Sequence, residues 1–552
     1  MKTPDPVHSP WLYKNRPLSD RIIVNDTISK VLRSCRMIPQ KPALTHYNEG
    51  QIIRSWTYKE LAERVKSIAQ LLSQRIPVER GSAVIVISEN CPEAYFAHLA
   101  IMSLGAITVP VSNNESPRVL EYISSATKAI AVLSSNKINI AFSTSPEIQR
   151  LDLQQIFIDS RNFSDNTPIS EATHPDDTAV ILYTSGTTSA PKGVCLSHYN
   201  LLVNAEALLR AHDLKRHSTH ACILPLYHAN AFGFSMVGSV YSGSHTILST
   251  GAIGPQIWSV LRETGAHIMS AVPEIIRLLS QRKVDTATLP NLKYLVSAAA
   301  PLSTKIAENF ELQTGIPIHQ GYGLSECTNF ATTTPAYIGA DLRKQLLSAW
   351  KVPSIGQAVF GTELKIVLDD SSEAPEGVDG EICIRGHNVM TGYLNNPAET
   401  TITLSNGWLH SGDTGFYHEI SGARYYFVTG RIKEIIIKNG ECISPRIVEN
   451  ELAEMIPLGR FAACGFPNVF SGEEIGLFIS AKNGREIVDS VSDIASRCPD
   501  RYRPRLVIIC DHPIPATVTG KVQRKRLSEV FSKYENIRFG AVTRVIVRDD
   551  II

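Results

Sequence analysis

The order of segments along the chain predicts an α/β fold: a large, multi-layered N-terminal domain of parallel sheets covered by helices, then a β-rich subdomain, then a small α+β C-terminal domain. Three observations carry this. Helical and strand-like segments alternate through the first three hundred or so residues. The texture turns β-rich after about Pro353, and again becomes a short α+β pattern beyond Gly430. The chain has 552 residues, 43% hydrophobic and 19% charged, enough apolar surface for more than one core.

The elements follow in order. Leu61–Leu72 has helical spacing, and Ser82–Ser88 (SAVIVIS) is a short run of branched apolar residues, so a strand. Pro92–Leu104 reads as a helix and Ile107–Val111 as a strand; Gly105 between them suits a helix stop. The uncharged run Ala94–Val111 is nearly long enough to span a bilayer, but His98, Gly105, Thr108 and Pro110 favour a buried helix followed by a buried strand. The alternation continues through Val119–Ser134, Leu201–Ala211, Thr219–Leu224 and Gly254–Glu263. Thr362–Leu368 and Gly380–Arg385 are strands around a polar turn, Asp369–Asp379. Arg424–Val428 and Ile432–Lys438 are expected to form a hairpin around Thr429–Gly430. A helix over Pro445–Met455, strands, and a helix over Val488–Arg497 complete the small unit. The domain boundary is placed at Gly430, giving 1–430 and 431–552.

Composition excludes several classes. Lys plus Arg is 54 and Asp plus Glu is 53, a net charge of +1, so no basic field favours nucleic acid. The ten cysteines form no C-x-x-C pair, which argues against a zinc ribbon or a redox motif and for reduced thiols. The N-terminal stretch Met1–Lys14 is proline-rich with no apolar core, so a cytoplasmic protein is expected.

The chemistry concentrates in Ala179–Val194, AVILYTSGTTSAPKGV. A buried strand runs directly into Thr184, Ser185, Gly186, Thr187, Thr188 and Ser189, with Lys192 after them. Clustered hydroxyls, a flexible glycine and a lysine are what polyphosphate oxygens need. A Walker-type loop is excluded, because Pro191 precedes Lys192 and Gly193 follows it.

This loop resembles the phosphate loop of the adenylate-forming superfamily, which includes acyl-CoA synthetases, coumarate-CoA ligase-like enzymes, luciferases and peptide-synthetase adenylation domains. Further motifs resemble that family in the same order: Tyr322-Gly323-Leu324-Ser325-Glu326, Trp408–Gly415 (WLHSGDTG), Gly430–Glu434 (GRIKE) and Thr517–Arg524 (TVTGKVQR). The likeness covers roughly residues 25 to 530.

The resemblance implies an acid–thiol ligase: ATP activates a carboxylate as an acyl-adenylate, and the acyl group then passes to the thiol of coenzyme A. It implies ATP and AMP contacts from Thr184 to Thr188, Lys192, Ala299, Tyr322, Gly323, Ser325, Asp413 and Arg431. Asp413 would hold the ribose, Tyr322 would offer an aromatic face to adenine, and Glu326 would give Mg2+ a hard oxygen. Lys521 would neutralise charge between carboxylate and α-phosphate. Lys433 would be the hinge of a mobile C-terminal domain that rotates between half-reactions, with Gly440–Pro445 lining the thiol tunnel. Pro225-Leu226-Tyr227-His228 resembles the family's Pro-Leu-Phe-His, so His228 would flank the acyl pocket, as would Tyr227–Phe234, Val272–Ile275, Ser297–Ala300 and Gly321–Asn329. A histidine there argues mildly against an α-amino acid.

Other readings stay open. One is a stand-alone enzyme loading a carrier-protein phosphopantetheine thiol; another is a non-catalytic nucleotide-binding relative. The sequence leaves monomer and homodimer open and points to no nucleic-acid partner and no membrane span. It also departs from the family: Ser189 and Ala299 stand where glycines are usual, Ser325 where threonine is usual, and the tail after about Lys533 runs past the usual end.

Overall fold

The computed structural model describes residues 12–135, 148–161, 163, 173–184, 191–251, 254–281, 284–453, 460–482, 484–517, 521–540 and 542–548. Two large sheets, a six-stranded sheet and a two-stranded pairing near residue 12 organise them.

The first large sheet has seven strands. Its centre is parallel: Ile107–Val111, Ala83–Ile87, Ala131–Ser134 and Gln149–Asp152 lie in that order. The helix Pro92–Ser103 is buried nearly all round, and Ile107–Val111 is buried along its length, as the uncharged run predicts. Among the described residues no helix is long and apolar enough to cross a membrane. Thr178–Thr184 joins this sheet alongside Ile107–Val111, and Lys192–Ser197 pairs back against it antiparallel, Thr184 opposite Lys192.

The second large sheet has fourteen strands and is mixed rather than parallel throughout. Pro42–Asn48, His245–Thr250, Thr219–Cys222, Ile268–Ala271, Tyr294–Ser297 and Ile318–Tyr322 run parallel. From Thr332–Thr333 onward the pairings are antiparallel, through Ser354–Ala358, Ala423–Arg431, Trp408–Ile420, Gly380–Gly386 and Thr362–Val367. The sequence change near Pro353 falls close to this switch.

The expected hairpin around Thr429–Gly430 does not form. Ala423–Arg431 pairs with Trp408–Ile420, turning at Ser421–Gly422, while Ile436–Lys438 pairs with Glu441–Ile443 around Asn439–Gly440. The turn residues are those with positive φ, Gly422 at 77° and Gly440 at 80°. Gly430 is small for another reason: a Cβ there would lie 2.8 Å from the Ser444 hydroxyl.

After Arg431 the chain makes one 3₁₀ turn, Ile432–Glu434, and enters a separate six-stranded sheet at Ile436. Helices Pro445–Ala453, Val488–Arg497 and Arg524–Phe531 belong to this unit. The tail that the sequence left unexplained supplies its edge: Arg544–Arg548 pairs in parallel with Leu506–Cys510. The small unit docks on the large one through Arg446, which is 6% exposed and whose guanidinium donates to the Val428 carbonyl at 2.5 Å. Asn450 adds a bond to the Lys351 carbonyl at 2.8 Å.

Candidate active site

Asp413 is the geometric centre. It lies on Trp408–Ile420 directly opposite Arg431 on Ala423–Arg431, so the strand register sets the pair. Asp413 is 4% exposed, and its carboxylate takes the Tyr322 hydroxyl at 2.8 Å and meets Arg431 Nε at 3.0 Å. Burial and the Asp413 charge push the Tyr322 phenol well above its ordinary range, so it stays a donor. The strand residues before Asp413 are tied down by Glu381, which bonds His410 Nδ1 at 2.7 Å and accepts the Gly412 N–H at 3.0 Å.

Lys521 enters from the small unit. Burial lowers its pKa to about 8; the Arg431 charge adds to that, while Asp413, Glu434 and Glu326 oppose it. The charges of those four groups reach Lys521, so it lies in the neighbourhood of the same site. Its loop is anchored by Arg524, which ion-pairs with Glu434 at 3.1 Å and Glu449 at 2.6 Å. The Lys521 N–H bonds Thr517 Oγ1 at 3.1 Å, and the Thr517 N–H bonds the Lys521 carbonyl at 2.8 Å.

A second cluster adjoins it. Glu326 takes the Tyr393 hydroxyl at 2.8 Å. Lys192 lies 4.6 Å from the centre of the Tyr393 ring and pairs with Glu399 at 2.7 Å. The lysine expected at the phosphates is thus held by a carboxylate. Thr184 Oγ1 faces the Lys192 carbonyl at 3.5 Å. Ser185, Gly186, Thr187, Thr188 and Ser189 lie outside the described residues.

Gly323 is required by packing, since a Cβ there would come within 1.8 Å of the Asn329 carbonyl oxygen. Ser325 opens the short turn Ser325–Cys327 that carries Glu326. Ala299 has φ 69°, a left-handed backbone that suits glycine, and it stands where the resemblance puts one. Lys433 is exposed in the turn between the two sheets. His228 packs edge-on against Tyr227 with centroids 4.6 Å apart, and burial lowers its pKa to about 4.

The structure thus gathers Tyr322, Asp413, Arg431 and Lys521 in one cluster, with Glu326, Tyr393, Lys192 and Glu399 beside it. Tyr393, Glu399, Glu381 and Arg524 were not singled out from the sequence. Nothing local marks them; each acquires its partner through contacts 29 to 207 residues away in the chain. The arrangement can grip vicinal hydroxyls at Asp413 and concentrate positive charge at Arg431 and Lys521, where an anion would be stabilised in a partly dehydrated site.

The family model for AMP-binding enzymes matches residues 31–394. A probable CoA ligase of Humulus lupulus is 29% identical, over 86% of this chain and 91% of its own length. An oxalate–CoA ligase of Arabidopsis thaliana is 27% identical, over 92% of this chain and 99% of its own. The fold is that of ATP-bound MatB from Rhodopseudomonas palustris, with a TM-score of 0.83 at 23% identity, covering 93% of this chain and all of that one. The o-succinylbenzoate-CoA synthetase of Bacillus subtilis, solved with its acyl-adenylate, superposes with a TM-score of 0.78 at 21% identity, over 92% and 98% of the two chains. A family match over more than half the chain, together with this fold, makes the protein a member of the AMP-binding enzyme family within the adenylate-forming superfamily.

Proposed function

We propose that this protein is an ATP-dependent acyl-CoA synthetase. It activates a carboxylic acid as its adenylate, releasing pyrophosphate, and transfers the acyl group to coenzyme A with release of AMP. The observation that carries the reading is the convergence of Tyr322 and Arg431 on the buried Asp413, with Lys521 of the other unit within reach of their charges.

In this reading Asp413 accepts the ribose hydroxyls. Thr184, the Ser185–Thr188 loop and Lys192 bind the phosphates, and Lys192 exchanges Glu399 for a phosphate oxygen when ATP enters. Ala299, Gly323 and Ser325 line the nucleotide with Tyr322. Glu326, with one carboxylate oxygen on Tyr393, fits Mg2+, which would offset charge on the ATP phosphates. Lys521, protonated, faces the junction between the attacking carboxylate and the α-phosphate. The protein's contribution is position and charge: no group here must form a covalent bond to substrate. The acyl carbon is then attacked by the coenzyme A sulfur, and AMP leaves.

The second half needs Lys521 out of the way. Residues 431–552 would turn about Lys433 against 1–430, breaking the Arg446 contacts and bringing Gly440–Pro445 to the thiol path. Full names of "CoA ligase" among relatives over most of their length support coenzyme A over a carrier protein as acceptor.

The test is a two-stage assay with purified protein. Acid-dependent pyrophosphate release, then acyl-CoA formation when coenzyme A is added, is expected. Acyl transfer to a phosphopantetheinylated carrier protein with none to coenzyme A would replace the acceptor, and ATP binding without pyrophosphate release for any acid would remove the reading.

A further inference from the structure

The reading above leaves the acid open, and orphaned polar atoms beside the expected acyl pocket narrow it. The segment after His228 forms a π-helix, Asn230–Val237. Its wide turns are uncommon and gather at functional sites. Asn230 on this helix is 5% exposed, yet neither its Nδ2 nor its Oδ1 has a partner among the described residues. Asn329 is also 5% exposed, and its Nδ2 has none.

The two amides belong to adjoining elements. A Cβ on Gly233 would meet Asn329 Cβ at 3.3 Å and Nδ2 at 3.6 Å, so the Asn329 side chain packs against the π-helix, at a residue three positions along the chain from Asn230. Its approach is imposed by strain. Thr328 has φ 70° and ψ −53°, a conformation a β-branched residue rarely adopts. The bend is held by the Thr328 hydroxyl on the Asn388 carbonyl at 2.7 Å and by the Asn329 N–H on the Cys327 carbonyl at 2.8 Å. His228 Nε2, two residues before Asn230, is buried and unpartnered as well.

A buried polar atom without a partner carries an uncompensated desolvation cost. Hydrocarbon in this pocket would leave that cost standing; a ligand that bonds to them removes it. Amides carry no charge, so they meet a neutral group without the desolvation a second carboxylate would suffer. Donors on both asparagines and an acceptor on Asn230 call for one group that both accepts and donates, which is a hydroxyl.

We propose that the acyl pocket selects a hydroxylated carboxylic acid, its hydroxyl held by Asn230 and Asn329, over the hydrocarbon isostere. This rests on the acid-activating reading. It makes Asn230 and Asn329 specificity-determining residues and leaves the nucleotide site untouched.

The experiment uses full-length protein and matched pairs of acids, aromatic and aliphatic, each hydroxylated member beside its deoxy or methyl counterpart. Pyrophosphate release gives kcat/KM for wild type, Asn230→Leu and Asn329→Leu. Wild type is expected to favour the hydroxylated member of at least one pair by a hundredfold or more. Each variant should lose about 10- to 100-fold on that member, keep or gain on its partner, and keep the KM for ATP. Thermal melting of the unliganded variants is the second readout: replacing an orphaned amide by leucine should leave the midpoint equal or higher, whereas a structural role would lower it. Equal turnover within every pair, or equal losses on both members, overturns the inference alone. A wild type that binds ATP and activates no acid of any pair removes the acid-activating reading and the inference with it.

Discussion

The protonation of Lys521 gives the sharpest test of the proposed mechanism. Burial and the Arg431 guanidinium hold its pKa at about 8 against an ordinary 10.5. If adenylation needs the ammonium form, about nine-tenths of the free enzyme is competent at pH 7 and about one-tenth at pH 9. The kcat/KM for ATP in pyrophosphate exchange should therefore break near pH 8 and fall about tenfold per unit above it. Bound polyphosphate favours the ammonium, so the limb in kcat should move to higher pH. Lys521→Gln should abolish the limb and lower kcat by about 10²–10³-fold, the range for loss of one preorganised charge stabiliser. Thioester formation from added acyl-adenylate should be unaffected. The stability consequence has the opposite sense: a lysine whose folded pKa is lowered binds fewer protons folded than unfolded between about 8 and 10.5, so the free energy of unfolding, and with it stability, should rise with pH in that window. A wild-type kcat/KM flat from pH 7 to 10, or a limb that persists in Lys521→Gln, would refute the role.

Further outcomes follow from other contacts. Asp413→Asn loses the charge that Tyr322 and Arg431 share; a charge-assisted bond contributes about 1.5–3 kcal/mol, so the KM for ATP should rise about 10- to 100-fold, read by titration of exchange rates. Glu399→Gln releases Lys192 from its ion pair and should lower the KM for ATP severalfold; an unchanged or higher KM would mean Glu399 positions the lysine instead of competing for it. Arg446→Ala removes the buried link from the small unit to the Val428 carbonyl and should slow adenylation while sparing thioester formation; equal slowing of both, assayed separately, would show a purely structural role. Ala299→Gly relieves a left-handed backbone and should raise stability by about 1 kcal/mol in denaturant unfolding, with activity retained.

The fold was legible where local chemistry and final environment agree. Ile107–Val111 and Val488–Arg497 form over the residues their patterns mark, because each pattern is already the pattern of burial. Gly430 misled because a glycine needed for close approach and one needed for a turn look alike in sequence; Ser444, which decides between them, comes fourteen residues later. The pocket segments read as mixed apolar and small, but asparagines at 230 and 329 matter through what they fail to touch, and partners are invisible until elements pack.

By itself the sequence determined the repertoire: alternating elements, a hydroxyl-rich loop ending in Lys192, and acid, base and aromatic groups in an order that resembles one superfamily. Only the tertiary structure decided who meets whom. Tyr322 reaches Asp413 across 91 residues, and Glu399 claims Lys192 across 207. Such pairings depend on strand register and on the docking of the small unit, which are set by the burial of whole faces and by no residue near the groups they bring together.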